Sequence, residues 1–353
     1  MLSQLLDRLK VPVLQAPMAG VQDEGLAISV CHAGGLGALP AAMLNEAQLA
    51  SQLRRMRAAT AAPFQVNFFC HQDPIADVQA MARWQDCLRP YHAELALEVV
   101  PASTGLARRP FSAAQLEILK TTPPDVVSFH FGLPPPDLLA ELRGLGILIL
   151  STATTVEEGL HLAARGVDGI IAQGLEAGGH RGMFLRDDMA GQSDTLSLVR
   201  SLVRSLGSSL AGATHVPIIA AGGIVDAAGA RAAIAAGACA VQAGTAFLGC
   251  TEATTSAVHR AALAETPRRK TRITRLFTGR PAQGLINRLM VDLAGQESLA
   301  PAFPLAANAL APLRSVAERA GSSDFSPLWC GTRVDGVRSV PAADVIRLLA
   351  GGL

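Results

Sequence analysis

Residues 147–173, ILILSTATTVEEGLHLAARGVDGIIAQ, contain one complete unit of the pattern that decides the fold. An apolar run of strand length comes first, a segment of helical period follows, and Gly166 precedes a second apolar run. Short apolar runs that stop at a glycine, proline or polar residue are typical of buried parallel strands. A glycine in this position commonly ends a helix in the left-handed conformation. The stretch therefore predicts a strand, a helix and a parallel strand.

The same unit recurs along the chain and gives eight predicted strands. The Ala- and Leu-rich segments between them have helical period, and one ends at Gly237 as the first ends at Gly166. Repeated units of this kind predict the α/β class and a (β/α)8 TIM barrel. An open doubly wound sheet is the alternative, but the regular spacing over residues 147–245 favours closure. The predicted strands are residues 11–18, 36–40, 64–69, 126–132, 147–152, 169–173, 217–222 and 240–245.

Two stretches do not fit the repeat. Residues 71–124 separate the third and fourth strands by more than one unit, and we interpret them as an insertion of helices and a covering loop. Residues 251–353 follow the eighth strand and contain a predicted helix within 303–321. The predicted division is a barrel over residues 1–250 and a mostly helical extension over 251–353 near the barrel mouth. Packing there would bury the apolar residues Phe303, Leu305, Leu310 and Leu313.

Composition excludes several classes of protein. The chain has 353 residues, 50% of them hydrophobic, and a net charge of +1 without runs of like charge, which argues against a nucleic-acid partner. Charges interrupt the N-terminal segment, and no stretch of about 18 apolar residues occurs, so we expect neither a signal peptide nor a membrane span. The six cysteines form no CxxC pair, which predicts reduced thiols in a cytoplasmic protein and no metal site.

Glycines follow the seventh and eighth predicted strands. Gly222 and Gly223 precede a helix, and Gly244 and Thr245 precede the next segment. Barrels often bind phosphate after these two strands, through backbone N–H groups and a helix N-terminus. Either glycine site alone could be ordinary turn chemistry. Both together favour a bound phosphate monoester such as FMN or a sugar phosphate.

Seven short motifs resemble one known family when they are taken in order. The set resembles the nitronate monooxygenases, formerly called 2-nitropropane dioxygenases, which are FMN-dependent barrels. The resemblance runs from about residue 11 to the C-terminus, where FTGRPAQGLINRLM is also similar to bacterial members. The motifs are QAPMAG from Gln15, GGLG from Gly34, VNFF from Val66, SFHFG from Ser128, QGLEAGGHRG from Gln173, AAGGI from Ala220 and QAGT from Gln242.

The resemblance implies a set of FMN-binding residues. Gly222, Gly223, Gly244 and Thr245 would hold the phosphate, with Gln242 nearby. The segment Ala16, Pro17 and Met18 would pass under the isoalloxazine ring. Asn67 and Gln173 would bond to the polar edge of the ring or to the ribityl chain, and Gly178 and Gly179 would let their loop approach the flavin.

Two histidines are the candidate catalytic residues. The resemblance places His180 near flavin N5, as a base or as a hydrogen-bond partner of the substrate, and imidazole is the side chain that titrates near neutral pH. Strand alternation places His130 on the face of Ser128, at the end of the fourth strand, although a buried core histidine is the alternative there. We interpret Glu176 as an acceptor for backbone N–H groups of its loop and Arg181 as a solvated rim charge.

The implied reaction is the oxidation of alkyl nitronates, such as propionate 3-nitronate, or of nitroalkanes. Oxygen would be the co-substrate and the products a carbonyl compound and nitrite, with detoxification or a metabolic role both open and a monomer or homodimer as the assembly. Three alternatives stay open: an NAD(P)H-dependent enoyl-acyl-carrier-protein or quinone reductase of the same superfamily, a flavin-free sugar-phosphate barrel lyase, and a non-catalytic flavin-binding module. Some members of the family have tyrosines and a lysine in the C-terminal tail, whereas Tyr91 is the single tyrosine here. The preferred nitro compound is therefore not predicted.

Overall fold

The computed structural model describes residues 2–75, 77–99, 105, 108–209, 216–265 and 270–353. Eleven strands occur in these ranges, and eight of them form one parallel sheet. In chain order the strands are β1 (Val13–Gln15), β2 (Gly37–Pro40), β3 (Phe64–Phe69), β4 (Val126–His130), β5 (Leu148–Ala153), β6 (Gly169–Gln173), β7 (Gly179–His180), β8 (Ile218–Ala221), β9 (Ala240–Ala243), β10 (Thr271–Thr274) and β11 (Ala282–Leu285).

The parallel sheet closes on itself. Its order is β1-β9-β8-β6-β5-β4-β3-β2, so β1 and β2 are the two edges. Two backbone hydrogen bonds join these edges, from Gln15 N to Leu36 O at 3.0 Å and from Leu36 N to Val13 O at 2.9 Å. The predicted TIM barrel is confirmed, and the open sheet is excluded.

Thirteen helices accompany the strands in the described ranges. They follow the predicted alternation, and side-chain caps begin several of them; Thr155 Oγ1, for example, accepts from Glu158 N at 3.2 Å. Gly166 and Gly237 have φ of 72° and 105°, as predicted for helix ends. The helices are α1 (Leu2–Leu6), α2 (Glu24–Ala33), α3 (Glu46–Ala59), α4 (Val78–Glu94), α5 (Ala113–Thr121), α6 (Pro136–Gly144), α7 (Val156–Ala164), α8 (Thr195–Ser209), α9 (Ala227–Ala235), α10 (Ala257–Ala264), α11 (Arg288–Asp292), α12 (Ala306–Arg319) and α13 (Ala342–Ala350).

The eight barrel strands lie where they were predicted, but several of them begin or end at different residues. β3 and β6 begin and end at the predicted residues, whereas β1 ends at Gln15 rather than at residue 18. Pro17 has no N–H to continue a ladder, and Met18 N donates to Gln22 Oε1 at 2.9 Å. The sequence did not predict β7, β10 and β11, which form a separate antiparallel sheet in the order β10-β11-β7.

One end of the barrel is filled by apolar side chains. Leu14, Val126 and Ile219 belong to a buried cluster that also contains Leu2 and Leu5 of the short N-terminal helix α1. Since α1 covers the amino ends of the strands, the carboxyl ends are left for the site, as in other barrels of this type.

The insertion and the tail meet beside the barrel. Helix α12 packs against α4, and Trp84 Nε1 donates to Ala306 O at 3.1 Å. The predicted helix within residues 303–321 is present as α12. The four apolar residues that we expected to be covered, Phe303, Leu305, Leu310 and Leu313, are all buried.

The last helix belongs to the barrel. Helix α13 lies against α2 and α9, and its Val345, Ile346 and Leu349 are part of the main apolar core. It therefore occupies the position of the last barrel helix, the one that follows β9 and completes the ring of helices. The predicted domain boundary at residue 250 stays a proposal, but residues 342–350 pack with the barrel rather than beside its mouth. No helix in the described ranges is long and apolar enough to cross a membrane.

Candidate active site

A cavity of about 230 Å³ lies at the carboxyl ends of the barrel strands. No aspartate or glutamate is among its lining residues, whereas several arginines and histidines are. All of the residues that the sequence analysis proposed for cofactor or catalysis line this one cavity. They are Ala16, Pro17, Met18, Asn67, His130, Gln173, Gly178, Gly179, His180, Gly222, Gly223, Gln242, Gly244 and Thr245.

Unpaired backbone donors collect at one end of the cavity. Among the described residues, no acceptor lies at the N–H groups of Gly222, Gly223, Gly244 and Thr245. Gly222 and Gly223 have φ of 128° and 68°, backbone angles that residues other than glycine rarely adopt. A Cβ on Gly222 would also lie 2.6 Å from Thr195 Oγ1. Clustered N–H groups of this kind favour a bound anion. We call these four residues the glycine end.

Two amide side chains extend this polar wall. The Oε1 atom of Gln242 is buried without a hydrogen-bond partner, which is costly unless a ligand supplies a donor. Asn67 Nδ2 donates to the carbonyl and hydroxyl oxygens of Ser128, both at 3.1 Å, so this amide is fixed in orientation. An orphaned acceptor beside unpaired donors fits a ligand that carries both a phosphate and a heteroaromatic polar edge.

The amide of Gln173 makes its hydrogen bonds to the loop that carries His180. Its Nε2 donates to His180 O at 2.9 Å, and its Oε1 accepts from Gly182 N at 2.8 Å. Both ends of the amide therefore hold the loop that carries His180. The side chain lines the cavity, but its main contacts lie within the protein.

His180 lies on a short strand at the other end of the cavity. Strand β7 pairs with β11, and the Nε2 of His180 lies 2.9 Å from Thr278 Oγ1. Among the described residues, no partner lies at its Nδ1. Four aromatic side chains surround the ring, with centroid distances of 5.2 to 6.3 Å: Phe69, Phe131, Phe303 and Trp329.

This environment changes the expected titration of His180. Burial, and next the positive charge of Arg108, lowers the pKa of His180 well below its ordinary value. The ring is therefore neutral at pH 7. The expectation that it titrates near neutral pH is wrong in this environment, because aromatic neighbours and nearby cations disfavour the imidazolium.

His130 has both ring nitrogens occupied. Its Nε2 lies 3.1 Å from His180 O and its Nδ1 lies 3.1 Å from Thr152 Oγ1. Since a carbonyl oxygen only accepts, Nε2 carries the proton, and Nδ1 accepts from the threonine hydroxyl in the neutral ring. Burial lowers the pKa of His130 to about 3, which keeps the ring neutral. The geometry makes His130 a support for the His180 backbone.

The two charged residues beside His180 are both structural. Arg181 is fully buried and donates to the carbonyls of Gln173 and Gly174 at 2.8 and 2.6 Å, so it is not the solvated rim charge that we expected. Glu176 accepts from Thr195 N at 2.9 Å and from its hydroxyl at 2.8 Å, at the start of α8. Its predicted role as an acceptor for backbone N–H is confirmed, although the donor belongs to the following helix.

The sequence profile of one family, described as nitronate monooxygenase, matches residues 2–351. The chain belongs to this family. Members are oxidoreductases and depend in general on a flavin.

Relatives and a solved structure agree with this assignment. The chain is 39% identical to a nitronate monooxygenase of Paraburkholderia phytofirmans, covering 96% of this chain and 91% of that protein. It is also 39% identical to one of Pseudomonas aeruginosa, covering 97% and 95%. The crystal structure of a nitroalkane oxidase from Streptomyces ansochromogenes is similar, with a TM-score of 0.88, 37% identity and coverage of 99% and 97%.

In this nitronate monooxygenase family member, the sequence analysis missed three functional candidates. Thr278 contacts His180, Arg108 lines the cavity near it, and Arg333 lines the cavity beside the glycine end. Each comes from the insertion or the tail, where no strand-end pattern indicates a site. The available signals were the polar FTGRPAQG joint, which carries Thr278, and the polar STGLARRP segment, which carries Arg108.

Proposed function

We propose that the protein is an FMN-dependent nitronate monooxygenase that converts alkyl nitronates and O2 to carbonyl compounds and nitrite. One observation carries the proposal: a neutral histidine with a partnerless Nδ1 faces the same cavity as four unpaired backbone donors. The donors suit an anionic cofactor group, and the histidine suits an anionic substrate. We also propose a cytoplasmic location, since all six cysteines are free.

The residues present fit FMN. The glycine end would hold the phosphate through N–H groups, and Arg333 lies beside it with its Nη2 donating to Asp226 Oδ2 at 3.0 Å. Gln242 and Asn67 would bond to the polar edge of the ring, and the turn that contains Pro17 would form its floor. When bound, the flavin supplies the electron acceptor for oxidation of the nitronate carbon.

His180 would hold the substrate through Nδ1. The hydroxyl of Thr278 can either donate to Nε2 or accept from it, so the neutral ring can present a donor or an acceptor to the cavity. A lowered pKa makes the ring a weak base. We therefore propose that its main role is to donate a hydrogen bond from Nδ1 to a nitronate that is already ionised, rather than to remove the α-proton of a neutral nitroalkane.

The protein fixes that donor from two sides. His130 and Gln173 both donate to the carbonyl oxygen of His180, and Thr278 contacts the ring itself. The surrounding aromatic side chains exclude water, which strengthens hydrogen bonds to an anion inside the cavity. The chain thus supplies orientation and a dry, positive environment.

Spectroscopy and product analysis test this function together. Purified protein should carry flavin, release nitrite from propyl-1-nitronate in air, and reduce its flavin only slowly with NADH or NADPH under anaerobic conditions. Rapid flavin bleaching by a reduced nicotinamide, without nitrite from the nitronate, would establish a reductase instead. A colourless protein that takes up no FMN would refute the flavin site altogether.

A further inference from the structure

A buried carboxylate that the proposed reaction does not use contacts the loop after His180. Glu158 lies in the first turn of α7 and is 2% exposed. Its Oε2 accepts from Thr154 N at 2.7 Å and from the Thr154 hydroxyl at 2.8 Å. These two bonds tie the start of the helix to the end of β5, which is an ordinary role for an acidic residue in a first helical turn. They account for one of the two oxygens.

The other oxygen crosses to a distant part of the chain. The Oε1 of Glu158 accepts from Phe184 N at 2.7 Å and from Leu185 N at 3.4 Å. These donors lie 26 and 27 positions further along the sequence, in the loop that follows β7. The start of a helix does not require such a contact. Glu158 therefore forms a bridge between the barrel and the loop that carries His180.

The backbone between His180 and this bridge is held at each residue. Residues 185–188, directly beyond the Phe184 contact, are exposed. The bridge thus marks the point where the fixed part of the loop ends. The other contacts in the fixed part are Arg181 N to Pro281 O at 2.8 Å, Gly182 N to Gln173 Oε1 at 2.8 Å and the Arg280 guanidinium to Met183 O.

The negative charge of Glu158 also suits this position. Burial lowers the pKa of Arg181 and of Arg280 to about 10, and the charge of Glu158 counteracts this lowering in both. These two arginines hold the same loop through backbone carbonyls. A carboxylate accepts hydrogen bonds from N–H groups more strongly than a neutral amide does. Both the oxygens and the charge of Glu158 therefore stabilise the loop.

We propose that Glu158 is a positioning residue for His180: by fixing Phe184, it holds the loop so that the imidazole Nδ1 faces the cavity. The inference rests on the proposed function, in which Nδ1 donates to the nitronate. Gln173 and His130 fix the carbonyl of His180 itself, and Glu158 prevents the exposed stretch beyond Phe184 from displacing the loop. A displacement of a substrate-binding group by about 1 Å is enough to reduce turnover strongly.

Two substitutions weaken the bridge in different ways. Glu158→Gln keeps the shape, but its amide accepts on one side only, so one backbone N–H loses its acceptor. Glu158→Asp keeps the carboxylate, and a side chain one methylene shorter cannot keep both contacts. Each should lower kcat/KM for propyl-1-nitronate by about tenfold at unchanged flavin content. The control is Glu157→Gln, at an exposed neighbour that pairs with Arg186, and it should stay within about twofold of the wild type.

A double-mutant cycle with His180 distinguishes positioning from a general effect on the fold. In a His180→Ala background, either Glu158 variant should cost less than about twofold, because the group that Glu158 positions is already gone. A tenfold loss in that background as well would show that Glu158 stabilises the barrel or another part of the site, and would overturn the proposal. Full activity of both Glu158 variants in the wild-type background would overturn it too.

A second measurement does not depend on the reaction. Diethyl pyrocarbonate attacks an unpaired nitrogen of neutral imidazole, so its rate of reaction at His180, followed by peptide mass spectrometry, reports whether the ring is held. We expect this rate to be at least about threefold higher in Glu158→Gln and unchanged in Glu157→Gln. If the wild type releases no nitrite from the nitronate, the proposed function fails separately, and the modification rate still decides the role of Glu158. Equal rates in wild type and Glu158→Gln, or no modification in either, would refute it.

Discussion

The two ends of the cavity are built by different means. At the glycine end the chain offers backbone N–H groups from the ends of β8 and β9, and the nearby Arg333 is neutralised by its own carboxylates. At the histidine end it offers side chains from the insertion, from β7 and from the tail, and the Arg108 guanidinium there has no partner among the described residues.

This difference suggests that one end of the cavity anchors the cofactor and the other end selects the substrate. Backbone donors fixed by barrel strands cannot be changed by ordinary side-chain substitution, so the glycine end suits a ligand that stays the same. Side chains on loops and on a packed tail can vary without disturbing the barrel. We expect cofactor retention to depend on the glycine end, and substrate choice and turnover to depend on the histidine end.

The largest expected effect is at His180. His180→Ala should lower kcat/KM for alkyl nitronates by about 10²–10³, because the hydrogen-bond donor to the anion is lost, while FMN stays bound. His180→Asn places an amide near the position of Nδ1 and should lose less with nitronates. With neutral nitroalkanes His180→Asn should lose no more activity than with nitronates, because the neutral ring is a weak base and does not remove the α-proton. Full activity in both variants would show that His180 does not bind the nitronate.

A substitution at the glycine end should affect the cofactor instead. A Cβ on Gly244 would lie 3.2 Å from Ala16 Cβ and 3.6 Å from Met18 Sδ, so Gly244→Val fills space at the proposed phosphate and ring floor. We expect FMN binding to weaken by about tenfold or more, roughly 1.4 kcal/mol. Gly144→Val, where a Cβ meets nothing within 4 Å, is the control. Full flavin occupancy in Gly244→Val would disprove the phosphate assignment.

The contact between Thr278 and His180 gives a finer test of the histidine end. Thr278→Val keeps the shape of this buried side chain and removes its hydroxyl, so turnover should fall by about tenfold at unchanged flavin content. Thr278→Ser keeps the hydroxyl and should restore most of the activity. Equal activity of the valine and serine variants would show that the hydroxyl does not position the imidazole.

The smallest expected effect concerns stability and pH. His71 is buried against Phe131 and Phe303, and burial, followed by the charge of Arg280, lowers its pKa from 6.5 to about 4. The folded state therefore keeps it neutral while the unfolded chain takes up a proton, so stability decreases as the pH falls from 6.5 toward 4 and is level above 6.5.

Replacement of this ring should flatten the pH dependence. In urea unfolding between pH 6.5 and 5, His71→Phe should reduce the slope by up to about 1.4 kcal/mol per pH unit. His32→Phe, at an exposed position, should leave the slope as in the wild type. The same slope in all three proteins would contradict the contribution of His71.

The sequence predicted the parts that depend on local pattern. The barrel strands, the helix ends at Gly166 and Gly237 and the location of the glycine end all follow from residues that are neighbours in the chain. The hydrogen bond between His180 and Thr278 could not be predicted in this way. It depends on the pairing of the two-residue strand β7 with β11, and no periodicity marks so short an element.

The sequence also could not show which arginine side chains have partners within the protein. Arg181 and Arg108 look alike in a list of residues. The Arg181 guanidinium donates to two backbone carbonyls in the core, whereas the Arg108 guanidinium lines a cavity and has no partner among the described residues. Which of them is available to a ligand depends on tertiary packing alone. The depressed pKa of His180 has the same origin, because its aromatic neighbours come from four separate segments.

The position of α13 has a consequence for the order of folding. This helix packs against α2 and α9 although it is separated from α2 by most of the chain. During synthesis, the apolar surface between α2 and α9 therefore stays uncovered until residues 342–350 leave the ribosome. Contacts between such distant segments form late, so this apolar surface stays exposed while residues 236–341 are made.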